Sequence, residues 1–173
     1  MSTRTNIVIR SGLSTIYIYR HCDGYLAETG ADILQKLREA IGPADAHRST
    51  DGAANHFTRA IFAEQYEQQS YEKAPRPVYE LTTELHGDIE HAYFIEFRDR
   101  FNTGPVSIRH AARPENWHKE GAEADDWATA GKRYSLESFK DAVNADREAC
   151  NQRIRELKLT SKAYADYTEY AAL

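Results

Sequence analysis

Two cysteines in 173 residues are too few for a disulfide framework. Cys22 and Cys150 read as reduced thiols, which suits a reducing compartment such as the cytoplasm. Long apolar runs are missing as well. The longest, such as Ile16-Tyr17-Ile18-Tyr19, fall far short of the roughly 20 residues that a membrane-spanning helix needs. Met1-Ser2-Thr3-Arg4-Thr5-Asn6 lacks the apolar centre of a secretory signal and runs straight into strand pattern, so no membrane association is expected. Positive charge is also short. The net charge is -5, and residues 61–100 carry the imbalance, with 4 Lys/Arg against 9 Asp/Glu. Polyanion binding relies on clustered Lys and Arg, so direct nucleic-acid binding is disfavoured. An acidic face would meet a basic protein surface or simply remain solvated.

What is present is core-forming material. Hydrophobic residues make up 41% of the chain, with 11 Tyr, 6 Phe and 2 Trp, while the mean hydropathy of -0.71 indicates a wet surface. Residues 1–173 are expected to form a single domain. Asn6–Arg10 and Thr15–Arg20 are strand-like and flank Ser11-Gly12-Leu13, which predicts a β-hairpin. Ile33, Leu34, Leu37 and Ile41 define one helical face, stopped by Gly42-Pro43. Phe57, Ile61, Phe62 and Tyr66 predict a second helix over about 55–69, after a loop at 44–53. Val78–Thr83 and Ala92–Phe97 read as two strands with His86-Gly87-Asp88 at the bend between them, and Val106–Arg109 as a shorter fifth. Residues 110–133 read as a long loop. Ser135 is a candidate N-cap for a helix whose Leu136, Val143, Cys150 and Leu157 recur every seven residues. Tyr164, Tyr167 and Tyr170 recur every three and predict one face of a short terminal helix. The order ββ-αα-βββ-αα predicts an α+β fold: a mostly antiparallel sheet of four to five strands with helices mainly on one face.

The candidate chemistry lies in two His-x-Asp triplets, His21-Cys22-Asp23 and His86-Gly87-Asp88, followed by Glu90. Residues two apart in an extended chain point the same way, so each triplet can present an imidazole with a carboxylate. Convergence of His21, Asp23, His86, Asp88 and Glu90 would make an N/O ligand set suited to Zn, Mn or Fe, and paired metals can drive phosphoester hydrolysis. Against this, two triplets are a small excess over chance, and Asp beside Gly is ordinary turn chemistry. Cys22 and His21 point to opposite faces of a strand, which leaves Cys22 without a base. No Gly-x-Ser-x-Gly elbow and no Gly-rich phosphate loop occurs. Arg20, His21, Tyr25 and Arg98 could line a pocket for a small anion or nucleotide. Trp117 and Trp127 flank an acidic run and either anchor a partner or pin the loop to the core. Tyr25 and the tyrosines at 164, 167 and 170 are further partner-binding candidates, and any homo-oligomer would form through the C-terminal helices.

The run Ile18-Tyr19-Arg20-His21-Cys22-Asp23-Gly24-Tyr25 with Glu28-Thr29-Gly30, together with His86-Gly87-Asp88-Ile89-Glu90, resembles two blocks of a family of small bacteriophage and prophage proteins. In that family the position of Cys22 is often aromatic and that of Leu26 often proline. The resemblance covers about the first 100 residues. It brings no established activity. It implies a phage-associated protein in the host bacterial cytoplasm that acts by binding a host protein, for example as an inhibitor of a defence system. Binding without a cofactor is thus the leading expectation. A metal-dependent hydrolase or nuclease, and a module for a small anionic ligand, stand as alternatives.

Overall fold

In the computed structural model, residues 3–42, 50–69, 78–98, 106–113, 127, 131–161 and 166–173 are described, with only the backbone of 64–69. The first hairpin forms as expected. β1 (Thr5–Ser11) and β2 (Ser14–Arg20) pair antiparallel from Ser11↔Ser14 to Thr5↔Arg20. Gly12 adopts φ +53 at the first of the two turn residues, where a side chain would be strained.

The chain next makes a π-helical turn at Leu26–Gly30, which leads directly into α1 (Ala31–Ala40). α2 (Thr50–Gln69) begins five residues before the expected helix. β3 (Tyr79–Thr82), β4 (His91–Phe97), β5 (Val106–Ala112), β6 (Lys132–Tyr134) and α3 (Leu136–Thr160) follow. Ser135 caps α3 as read from the sequence: its hydroxyl accepts from Ser138 N, and Ser138 Oγ accepts from Ser135 N.

The strands form one sheet in the order β3-β2-β1-β4-β5-β6. Six strands replace the expected four to five, and the sheet is mixed, because β1 and β4 pair in parallel from Thr5↔His91 to Ser11↔Phe97. The correction has a physical cause. Period-two alternation shows which side chains share a face, not which strands are neighbours. The segment 83–90 resembles a hairpin bend, yet two strands, β2 and β1, lie between β3 and β4, and β3 runs parallel to β4. Residues 83–90 therefore cross back over the sheet. The sign of an interior strand was present in β4 itself, which has apolar residues on both faces. β6 escaped notice because three residues, two of them basic, carry too little pattern.

One face of the sheet carries Ile7, Ile9, Ile18, Tyr93, Ile95 and Ile108, and it packs against Leu34, Leu37, Phe57, Ile61, Phe139 and Val143 of the three helices. The helices thus lie on one face, as expected. The opposite face holds a smaller cluster of Val8, Tyr19, Ala92, Phe94 and Ala111, covered by Ile89, Leu85 and Trp127. The chain beyond α3 departs from expectation: residues 166–173 are not helical. Tyr164 lies outside the described residues. No helix among the described residues is long and apolar enough to cross a membrane.

Candidate functional site

The two His-x-Asp segments meet on the face away from the helices, at the end of the sheet where β2 finishes. Asn6, fully buried, ties them together: its Nδ2 donates to Ile18 O at 3.3 Å, and its Oδ1 accepts from His86 N at 2.9 Å. That bond holds the crossover down onto the sheet. Tyr19 then forms the centre. The His86 ring stacks on it at 4.1 Å, and the His21 ring meets it edge-on at 4.7 Å. The Tyr19 hydroxyl donates to Asp88 Oδ2 at 3.2 Å, and Arg4 pairs with the same carboxylate. His21 Nε2 lies 3.1 Å from Glu80 Oε1 on β3.

Asp23 and Glu90 do not join this group. Asp23 sits at φ +55, with its carbonyl accepting from Thr29 N at 3.2 Å and Thr29 Oγ1 at 2.7 Å, so it shapes the π-helical turn. Glu90 is fixed through its backbone, N to Arg4 O at 2.9 Å and O from Arg113 N at 2.7 Å. Among the described residues, no three His, Cys, Asp or Glu side chains form a group that could hold a metal ion. His21, His86 and Asp88 are brought together by ring packing and hydrogen bonds around Tyr19. The expected placement at two hairpin ends holds for His21–Asp23 alone, since His86–Asp88 lie on the crossover.

The residues suggested for an anion pocket do not converge. Arg20 is buried under the helices, donating to Asp32 Oδ2 at 3.0 Å and the Tyr79 hydroxyl at 2.8 Å, with Lys36 Nζ 3.6 Å from the other Asp32 oxygen. His21 is on the opposite face. Arg98 follows Phe97, which pairs with Ser11 at the far end of β1, about 20 Å along the strands. Cys22 is half-buried, and burial, followed by the Asp23 carboxyl, pushes its thiol up from its ordinary value, which disfavours the thiolate.

Tyr25 packs edge-on to His91 at 6.2 Å. His91 faces the helices, opposite to His86, and its Nδ1 lies 2.9 Å from His110 Nε2. Burial pushes both imidazoles down, and the neighbouring His91 adds to the effect on His110, which reaches about 3. Trp127 is fully buried in the second cluster, against the sheet. Trp117 lies outside the described residues. Tyr167 is exposed and Tyr170 half-buried.

Sequence reasoning missed a different feature. Arg10 on β1, Arg98 after β4, Arg109 on β5 and Arg133 on β6 gather on the face away from the helices, around Glu96. Glu96 is the parallel partner of Arg10, and it accepts from Arg98 Nε at 3.0 Å and Nη2 at 2.5 Å. Arg133 lies directly opposite Arg109. Burial, then the fields of Arg133, Arg10 and Arg98, lower the Arg109 guanidinium from its ordinary value despite Glu96. Arg10, Phe94, Glu96, Ser107 and Arg109 line a shallow hollow of about 60 Å³. Only strand order and register bring these arginines together, and neither is visible in the sequence. No protein-family model matches the chain, and neither the curated proteins nor the solved structures give a match.

Proposed function

We propose that the protein is a phage- or prophage-associated binding protein that docks on an acidic surface of a host protein and thereby inhibits a bacterial defence system. The phage context rests on the resemblance of the two blocks. The docking surface rests on one observation: among the described residues, Arg10, Arg98, Arg109 and Arg133 are concentrated around Glu96 on a chain whose net charge is -5. Like charges opposite one another across strands destabilise a sheet. An arriving acidic surface would relieve that repulsion, and complementary charge also speeds encounter. Glu96 within the cluster favours a protein partner over a run of phosphates.

The test is capture from bacterial lysate by the wild-type chain and by the variant R109A/R133A. One stoichiometric partner is expected at about 0.1 M salt, released by high salt and lost with the variant. A partner retained equally by the variant would overturn the reading. So would a labelled oligonucleotide that binds the wild type and is lost with R109A/R133A.

A further inference from the structure

Residues 166–173 lie against the outer side of α3, held largely through their backbone. Asn151 grips Tyr170 twice: Oδ1 accepts from Tyr170 N at 2.6 Å, and Nδ2 donates to Tyr170 O at 2.8 Å. Asn144 repeats the arrangement with Leu173, accepting from its N at 2.9 Å and donating to its O at 3.4 Å. Between them, Arg147 Nη1 donates to Ala171 O at 2.7 Å. The two asparagines are seven residues apart on the helix, a rise of about 10.5 Å. The residues they hold are three apart in an extended chain, a span of about 9–10 Å. The helix thus carries a backbone-reading pair in register with an extended peptide.

Side chains add selectivity. Arg155 donates to Glu169 Oε2 from Nε at 2.9 Å and from Nη2 at 2.7 Å. The Arg147 guanidinium lies 5.7 Å from the centre of the Tyr170 ring, whose phenol meets the Glu28 carboxylate of the π-helical turn. Burial, then this carboxylate, push the Tyr170 hydroxyl well up from its ordinary value. Asn151 is buried beneath the segment, whereas Asp166–Glu169 and Ala171–Leu173 are exposed, so few apolar contacts hold them down.

We propose that the outer side of α3 is a docking site for an extended peptide of a partner protein carrying an acidic residue followed by tyrosine, and that residues 166–173 occupy it in cis. Backbone recognition does not distinguish this chain from another, so a partner segment with the Glu-Tyr pair makes the same bonds. The tethered segment competes at a high effective concentration and lowers the apparent affinity for a free peptide. This surface is separate from the arginine cluster, and the two readings stand or fall independently.

The probe is the labelled octapeptide Asp-Tyr-Thr-Glu-Tyr-Ala-Ala-Leu, titrated against full-length chains by fluorescence anisotropy. The E169A/Y170A chain, with its own segment loosened, binds the peptide at least about tenfold more tightly than the wild type. Adding Asn144→Ala removes a two-bond grip and weakens binding about tenfold. Adding Arg155→Glu instead weakens it too, and a peptide with Lys in place of its Glu restores binding to that chain. This charge swap keeps the test decisive if an asparagine variant folds poorly. No binding to the E169A/Y170A chain at millimolar peptide overturns the proposal, as does binding indifferent to both Asn144→Ala and the charge swap.

Discussion

The pair His91–His110 predicts acid sensitivity of a definite size. His91 Nδ1 and His110 Nε2 are 2.9 Å apart, so one ring donates to the lone pair of the other, and burial favours the neutral form of both. The Tyr93 ring lies 4.7 Å from His110 and Lys132 is its cross-strand partner, while the Glu90 and Asp146 carboxylates offset the burial of His91 only in part. His110 is held down at about 3, against 6.5 in the unfolded chain. A base depressed in the folded state binds more protons when unfolded, so stability rises with pH. Its contribution is complete above about pH 6.5 and is lost as pH falls towards 3. At pH 5 the unfolded histidine is almost fully protonated and the folded one is not, which is worth about 2 kcal/mol. His91, also held down by burial, adds a loss of the same sign. Urea unfolding followed by tryptophan fluorescence at pH 7 and pH 5 measures the effect, because Trp127 is buried and reports on the sheet. His110→Phe keeps a flat ring and removes the titration. The wild type should lose about 2 kcal/mol more than the variant between the two pH values. Losses that agree within about 0.5 kcal/mol would refute the reasoning.

Two further outcomes follow from buried and gathered groups. Asp32→Ala strips Arg20 and Lys36, both under 10% exposed, of their shared carboxylate and should lower unfolding stability by about 3–5 kcal/mol, measured by urea titration; a loss below about 1 kcal/mol would show that water reaches the site. Mn or Zn at millimolar concentration should leave the melting temperature unchanged, because His21, His86 and Asp88 are spent on Tyr19; a rise of several degrees, abolished by H86A, would restore the hydrolase reading.

The parts of the fold that were legible in the sequence rest on local chemistry. Gly12 marks the hairpin, Ile33, Leu34 and Leu37 mark α1, and Ser135 marks the start of α3, each through neighbours within a few positions. What was not legible depends on distant partners. β1 and β4 pair across more than eighty residues, and nothing in Ile7-Val8-Ile9 specifies a parallel neighbour. The arginine cluster inherits that difficulty, since Arg10, Arg109 and Arg133 share a face only once the strand order is set. The tyrosine periodicity at the C-terminus misled for the opposite reason. A spacing of three also suits an extended chain held on one side, and the matching signal, Asn144 and Asn151 seven apart on α3, passes for ordinary polar helix surface.

The parallel β1–β4 pair also accounts for where the exposed chemistry lies. A parallel neighbour requires a crossover, and with the helices on one face residues 83–90 run over the other. Leu85 and Ile89 cover the end of that face near Tyr19, and Asn6, His86 and Asp88 fasten the cover. The two sequence blocks are therefore the two sides of one clasp, β2 below and the crossover above. His21, His86 and the Asp88 carboxylate are committed to closing it. The crossover reaches the Thr5–His91 end and stops, and the face from the level of Phe94 to the Ser11–Phe97 end keeps Glu96 and Arg133 exposed and Arg10, Arg98 and Arg109 partly so. Loosening the clasp with N6A should thus destabilise the Tyr19 end, whereas changing the arginines should alter binding and leave the fold intact.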